Sequence, residues 1–187
     1  MIEIKLKNTA LCFDFSFFAV MALCFFLDNN GICMLSLSAC ICHELSHLVV
    51  MLICNAEVNA VVLYGAGAKI NCELSALSVG KRLVVLAAGC TVNFLLCITA
   101  FLFGFYEFAA VNLVIGSFNL LSVGSLDGAQ ITDIISTKHP LCAKLMNAIS
   151  IFIVVFAAAC ALVFERKLAP TFFVTIIYMF LLKCKGY

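Results

Sequence analysis

Charged side chains are scarce in this sequence. Only 11% of its 187 residues are Asp, Glu, Lys or Arg, whereas 65% are hydrophobic. Soluble domains carry about 25% charged residues, so this chain cannot cover itself with polar surface in water. Its formal net charge of +1 argues against a nucleic-acid partner. The composition therefore predicts an integral membrane protein.

Two arrangements of reactive side chains are also missing. None of the 12 cysteines lies three positions from another, which argues against a zinc finger built on paired CxxC motifs. Most cysteines stand inside apolar runs, where a free thiol behaves as a small hydrophobic side chain. The sequence contains no Gly-x-Ser-x-Gly, which disfavours a rhomboid-type serine protease.

Long apolar runs, by contrast, are abundant. A membrane-spanning helix needs about 20 apolar residues, and the sequence offers six candidates: Leu11–Leu27, Ile32–Ile53, Leu83–Gly104, Phe108–Leu126, Met146–Phe164 and Pro170–Leu182. No small-residue cleavage site follows the first run, so we expect a retained span rather than a signal peptide. The predicted fold is an all-α multi-pass membrane protein with about six transmembrane helices.

The lysines and arginines indicate an orientation. In a six-span topology nine of them fall on one side and only Arg166 and Lys167 on the other. Because positive charge accumulates on the cytoplasmic side, we expect both termini and the loops 54–82 and 127–145 to be cytoplasmic. The chain is predicted to reside in a cell membrane. The family resemblance described below indicates that this is the membrane of a bacterial cell.

The loop after the second span has a pattern of its own. In EVNAVVLYGAGAKINCE, β-branched residues precede Gly65 and Gly67, and a second short run follows. This pattern predicts a short β-hairpin, with an irregular loop as the alternative. An edge near residues 58–70 can hold an extended peptide segment by β-addition.

Ionisable residues interrupt the second span in ICHELSHLVV. On a helix His43 and His47 are one turn apart and face the same way, so both rings can converge on one ion. Glu44 is rotated by about 100° from His43, where it can reach a water on that ion. This is the HExxH arrangement of zinc peptidases, and ionisable groups inside a span normally mark a functional site.

A catalytic zinc needs a third protein ligand, and the residues alone leave several candidates. Cys40 lies one turn before His43, but three ligands along one straight helix do not wrap a tetrahedron well. His139, Asp133 and Glu73 lie in predicted loops, and His139 reads as a surface residue. Asp127 ends an apolar run and is followed by Gly128, which allows the backbone to turn. It can be a ligand or a helix-capping residue.

These motifs resemble those of the site-2 proteases, a family of intramembrane zinc metalloproteases. The resemblance covers about residues 30–135 and rests on three stretches: HELSH at 43–47, LAAGCTVNFLL with Gly89 and Asn93, and FNLLSVGSLDG with Asn119 and Asp127. Without a PDZ insertion, the chain looks most similar to the bacterial branch that includes a sporulation protease.

The resemblance implies roles for individual residues. His43, His47 and Asp127 would hold one Zn²⁺ per chain, and Glu44 would be the general base. Asn119 and Asn93 would line the active site or position the substrate, although an interhelical hydrogen bond is the alternative for either asparagine. The partners implied are the lipid bilayer and a membrane-protein substrate cleaved in or near a transmembrane segment.

The sequence departs from the family pattern at two prolines, which are replaced by Cys90 and Ser122. Both prolines shape the backbone and do no chemistry, so the metal site stays plausible. We expect one membrane-embedded protease domain over 1–187, with its core at about 30–135 and accessory spans at 142–187. The alternatives are a catalytically impaired pseudoprotease and a membrane metal-binding or transport protein.

Overall fold

The computed structural model describes residues 2–6, 9–28, 30–64, 67–72 and 74–164. The chain divides into two compact units, Met1–Ser117 and Phe118–Tyr187. Within the described residues the strands are β1 Ile2–Leu6, β2 Thr9–Phe13, β3 Val58–Tyr64 and β4 Gly67–Cys72, and the helices are α1 Phe15–Leu27, α2 Ile32–Ile53, α3 Val79–Leu102, α4 Tyr106–Asn119, α5 Asp127–Ser136 and α6 Pro140–Phe164. A single turn of 3-10 helix occupies Leu74–Ala76.

Two of these helices, α2 and α3, are long and apolar enough to cross a membrane. Their 22 and 24 residues extend about 33 and 36 Å, against a hydrocarbon core of about 30 Å. Both expose large apolar side chains on their outer faces, such as Leu45 and Val49 on α2 and Leu95 and Ile98 on α3. Side chains of this kind suit contact with lipid rather than water.

Two of the predicted spans are wrong as continuous helices. Residues 11–13 belong to strand β2, and the 13 residues of α1 reach only about 20 Å, because Asp14 caps a new helix after the strand. The predicted span Phe108–Leu126 also breaks, since α4 ends at Asn119 and 120–126 are not helical. The predicted span Met146–Phe164 lies inside α6. The predicted span Pro170–Leu182 lies outside the described residues.

The predicted 127–145 loop is wrong as well, because α5 and the start of α6 occupy most of it. Gly128, predicted to let the backbone turn, instead lies in the first turn of α5. A Cβ at this position would collide with the carbonyl group of Leu120. The glycine therefore serves close packing of α5 against the preceding segment.

The β structure is more extensive than a single hairpin. The predicted hairpin is present as β3 and β4, although Gly67 starts β4 and the predicted turn at Gly65 lies outside the described residues. A four-stranded sheet of order β1-β2-β3-β4 replaces the expected isolated hairpin. Strands β2 and β3 are parallel, and the other two pairs are antiparallel. Strand β3 is therefore paired on both sides, so β4 rather than β3 is the edge strand of this half of the sheet.

A small apolar core joins the sheet to the two long helices. Met51 near the end of α2, Val58 in β3 and Val85 in α3 are buried together, and partly buried residues from β3, β4 and the following turn pack around them. The end of α2 is closed by Asn55 in the left-handed conformation, φ 59°, which allows the Ala56 N–H to bond to the Met51 carbonyl at 2.9 Å. This packing fixes the C-terminal half of α2, where the histidines lie.

Candidate metal centre

The two histidines of the HExxH motif lie on the buried face of α2. His43 is 4% exposed and His47 is 6% exposed. Their ring centroids are 4.8 Å apart, and their Nε2 atoms are separated by 3.1 Å. The helical spacing alone predicts that the two rings face the same way, and the structure brings the same nitrogen of each ring to one point.

Helix α3 holds both rings through their Nδ1 atoms. The Nδ1 of His47 donates to the Val85 carbonyl at 2.8 Å. A carbonyl oxygen only accepts, so this bond fixes the proton of neutral His47 on Nδ1 and leaves a lone pair on Nε2. The Nδ1 of His43 lies 2.9 Å from the Asn93 Oδ1. Such partners commonly orient metal-binding histidines.

Gly89 lies on α3 between these two contacts. A Cβ there would collide with the Cε1 and Nε2 atoms of His43 and with the Nε2 of His47. Val85, Gly89 and Asn93 are four residues apart and share a face of the helix. This face therefore combines two hydrogen-bond acceptors with a glycine whose missing Cβ makes room for both imidazole rings.

The donor set fits a zinc ion. Two nitrogens bound to one tetrahedral zinc at about 2.0–2.1 Å are separated by roughly 3.3–3.4 Å, close to the Nε2 separation of 3.1 Å. Two unprotonated nitrogens at this distance repel each other unless a cation or a proton lies between them. At this separation the two nitrogens can share a cation or a proton, and a tetrahedral zinc ion fits the geometry.

The other candidate ligands differ in their placement. Asp127, the third ligand that the resemblance implies, lies in the second unit, and its convergence with the two histidines stays a prediction. Cys40 is exposed on α2, whereas the histidines on the same helix are buried. His139 is exposed between α5 and α6, and Asp133 is exposed on α5. Glu73 lies outside the described residues.

Asp127 is the first residue of α5, and Leu126 occupies the N-cap position with no side-chain capping bond. A carboxylate in the first turn is favoured by the helix dipole. The preceding segment is held by Ser122, which is 2% exposed. Its N–H donates to the Ser150 Oγ at 2.8 Å, and its Oγ lies 2.7 Å from both the Thr132 Oγ1 and the Asn147 Oδ1.

The asparagines of the family motifs have different surroundings. Asn93 is fully buried and connects three helices, because its Oδ1 faces His43 on α2 and its Nδ2 donates to the Asn112 Oδ1 on α4 at 3.2 Å. Asn119 is the last residue of α4 and is half-buried. Glu44 is half-buried on α2, next to His43.

Sequence reasoning missed two contributors to this centre. The Val85 carbonyl belongs to the backbone and has no side-chain signature. Asn112 lies in no recognised motif, yet it is a polar residue within an apolar helix and is four residues before Gly116, whose missing Cβ lets α4 approach the Cβ of Asn93. The spacing of four residues between Asn112 and Gly116, which places both on one face of α4, is the sequence signal that could have identified Asn112.

Neither a protein-family model nor a curated protein matches the sequence. Among solved structures, the chain is similar to the site-2 protease from Methanocaldococcus jannaschii, with a TM-score of 0.62 over 98% of this chain and 94% of that chain. The chain has the fold of a site-2 protease. The sequence identity is 17%, so the likeness is one of fold, and the assignment to the bacterial sporulation branch stays a prediction.

The site-2 protease fold accommodates both departures from the family pattern. Cys90 is 2% exposed in the middle of α3, where its N–H can continue the helix that a proline would interrupt or kink. Ser122 uses its N–H to bond to Ser150, which a proline cannot do. At positions 90 and 122 this chain therefore has a backbone N–H that can donate a hydrogen bond, where the family pattern has a proline ring.

Proposed function

We propose that this chain is an intramembrane zinc metalloprotease that hydrolyses peptide bonds in or near the transmembrane segments of membrane proteins. One observation carries the proposal. The Nε2 atoms of His43 and His47 converge to 3.1 Å while both Nδ1 atoms are bonded to α3. A purely structural pair of buried histidines at this distance would share one Nε2 proton in a hydrogen bond, whereas the Nδ1 contacts of both rings favour a lone pair on each Nε2.

His43, His47 and Asp127 are the three ligands in this proposal, and they supply two nitrogens and one carboxylate oxygen. Three protein ligands leave the fourth tetrahedral position open, as catalytic zinc sites require. A zinc ion bound there supplies an acidified water and a Lewis acid for the scissile carbonyl. The neutral Nδ1–H tautomers of both histidines keep their Nε2 atoms available as ligands.

Glu44 is the general base in this mechanism. It follows His43 on α2 and is rotated from it by about 100°, so its carboxylate need not be a ligand. A carboxylate oxygen of Glu44 takes a proton from the attacking water and delivers it to the nitrogen of the leaving amine. Asn119, at the end of α4, is proposed to position the substrate.

We infer that the substrate binds as an extended segment, since a helix hides its carbonyls in internal hydrogen bonds. In the strand order β1-β2-β3-β4, β4 is the edge strand next to β3. An edge strand can accept an added strand from a bound peptide. Proline at Val61 or Val62 would disrupt the pairing of β3 with β2 and β4, so the edge must be tested on β4. Because successive backbone N–H groups of a strand alternate in direction, those of Ala68 and Ile70 should face one side and those of Lys69 and Asn71 the other.

The effects of single proline substitutions at positions 68, 69, 70 and 71 should therefore alternate along the strand. Prolines whose lost N–H faces outward should reduce cleavage and keep zinc, whereas the others should disturb the sheet. Uniform effects across the four positions would contradict binding at this edge.

The test of the proposed function is Glu44→Gln in purified protein, with zinc content and cleavage of single-span substrates measured together. We expect zinc to be retained and cleavage to fall by about 10²–10⁴-fold, the usual contribution of a general acid–base group. Undiminished cleavage would contradict the role of Glu44. Zinc binding without cleavage in the wild type would favour a pseudoprotease, and metal flux that survives Glu44→Gln would favour a transporter.

A further inference from the structure

A directional chain of hydrogen bonds runs from the backbone of α4 to His43. The Asn112 Nδ2 lies 2.9 Å from the Phe108 carbonyl, which can only accept a hydrogen bond. This contact requires the amide nitrogen of Asn112 to face Phe108, so its Oδ1 faces Asn93. The Asn93 Nδ2 donates to that oxygen at 3.2 Å, which in turn places the Asn93 Oδ1 toward His43.

The chain ends at the metal-binding ring. An oxygen 2.9 Å from the His43 Nδ1 accepts its proton, and the Nε2 of neutral His43 is then unprotonated. Asn93 and Asn112 are both 0% exposed, so bulk water cannot easily replace a lost partner. Each member of the chain therefore fixes the direction of the next.

The alternative tautomer of His43 would close the site. A proton on its Nε2 would point at the His47 Nε2, 3.1 Å away. His47 can accept that proton because its own Nδ1 is bonded to the Val85 carbonyl. A direct His43–His47 hydrogen bond would then occupy the two nitrogens that should bind metal. The alternative tautomer also requires Asn93 to rotate its amide by 180°.

We propose that Asn112 is a positioning residue that keeps His43 in its metal-binding tautomer through Asn93 and so prevents the two histidines from bonding to each other. Asn112 touches neither the metal ligands nor the substrate in this scheme. The proposal rests on the proposed function, because it assumes that the histidines bind metal. The proposal adds Asn112, a residue in the middle of α4, to the metal centre. The motifs that the sequence displays lie on other helices or at the C-terminal end of α4.

The first test compares zinc affinity in three variants by competition with a chelator. Asn112→Leu removes both hydrogen bonds at similar volume and should weaken zinc binding by about 10–100-fold, as loss of a partner behind a ligand typically does. Asn112→Asp keeps an oxygen facing Asn93 and should bind zinc more tightly than Asn112→Leu. The control Thr99→Val removes a hydroxyl that bonds only within α3 and should bind as the wild type does.

The order of the first two variants separates positioning from packing. If Asn112 only filled space, leucine would be tolerated better than a buried acid, and the order of affinities would be reversed. That reversal, or an unchanged affinity in Asn112→Leu, would overturn the proposal. A wild-type protein that binds no zinc would instead refute the proposed function, so the two failures are distinguishable.

The second test observes the tautomer itself and does not depend on a variant that folds. The chain has three histidines, so nitrogen NMR of histidine-labelled, metal-free protein gives few signals. In alkaline solution that keeps the imidazole rings neutral, we expect the proton of His43 to lie on Nδ1 in the wild type and on Nε2 in Asn112→Leu. His47 should keep its proton on Nδ1 in both and is an internal control. A wild-type His43 protonated on Nε2 would contradict the proposal.

Discussion

The two units of the chain hold their candidate ligands in different ways. In the first unit the histidines lie within a long helix, and their rings are fixed by a backbone carbonyl, a buried amide and a glycine on α3. In the second unit Asp127 begins a helix directly after a non-helical segment. That segment is held by a cluster of hydroxyl and amide groups around Ser122.

The difference separates ligand chemistry from chain geometry. The backbone of α2 is regular, so the surrounding residues must fix the tautomer of His43 and His47 and the space around their rings. Before α5 the backbone is irregular, so what needs control is the path of the chain that delivers the carboxylate. Changes in the first unit should therefore alter metal affinity more than stability, and changes around Ser122 should do the reverse.

Gly89→Ala gives the largest expected effect. The added methyl collides with the ring atoms of both histidines, so the rings must move away from the metal position. We expect zinc affinity to fall by more than about 100-fold, beyond the usual effect of changing a partner behind a ligand. The measurement is chelator competition on purified protein.

The matched control for this change is Gly80→Ala on the same helix. A Cβ at Gly80 meets no atom within 4 Å, and alanine is the better helix former. Zinc affinity should be unchanged and stability equal or higher. Similar zinc loss in both variants would mean that the effect comes from helix α3 as a whole and not from the rings.

Ser122→Ala should show the opposite pattern. It leaves the buried Thr132 and the half-buried Asn147 without one of their partners, and an unsatisfied buried polar group costs about 1–3 kcal/mol. We expect a lower thermal midpoint for the metal-free protein. Ser125→Ala is the control, because Ser125 is exposed and accepts a hydrogen bond from Gln130 through its backbone carbonyl, which the change leaves in place.

Ser122→Pro sharpens this comparison because it restores the residue of the family pattern. The change also removes the N–H that bonds to Ser150, so we expect it to be at least as destabilising as Ser122→Ala. A proline variant that is as stable as the wild type would contradict the role given to the hydrogen-bonded cluster.

Asp14→Ala should have the smallest effect, since Asp14 lies at the surface and far along the chain from either ligand set. The side chain and backbone N–H of Ser16 donate to its carboxylate at 2.6 and 2.9 Å, and both bonds lower the pKa of Asp14 below its ordinary value. Because the folded-state pKa is depressed, the stabilisation is present above the unfolded pKa of about 3.9. It is lost as the pH falls through the folded value.

Thermal midpoints of wild type and Asp14→Ala should therefore differ slightly at neutral pH and converge in strong acid. Zinc affinity should be the same in both. A difference that grows as the pH falls would show that the capping carboxylate is not the cause.

Sequence reasoning predicted both ends of α2 correctly, at Ile32 and Ile53. An apolar run of membrane-spanning length and the HExxH motif indicate the same helix. Sequence reasoning failed at the N-terminus, where IEIKL alternates apolar and charged residues as an edge strand does, but the long apolar run that follows suggested a span. It also failed at 120–126. There the chain leaves the helical path because Ser122 bonds to α5 and α6, and tertiary contacts of this kind leave no periodic signal.

The candidate site was more predictable than the fold around it. Ligand chemistry demands particular side chains, and a sequence displays these directly in HELSH and LDG. The groups that orient the ligands are less visible, because a carbonyl such as that of Val85 can belong to any residue. Asn112 was visible only as a polar interruption, and its role depends on which helix α4 packs against.

The central claim is that His43, His47 and Asp127 bind one zinc ion, and the most direct test is the zinc content of purified, zinc-loaded protein. We predict one zinc per wild-type chain and loss of tight binding in both His47→Ala and Asp127→Ala. A wild-type chain that retains no zinc, or an Asp127→Ala variant that binds it as tightly as the wild type, would contradict the claim.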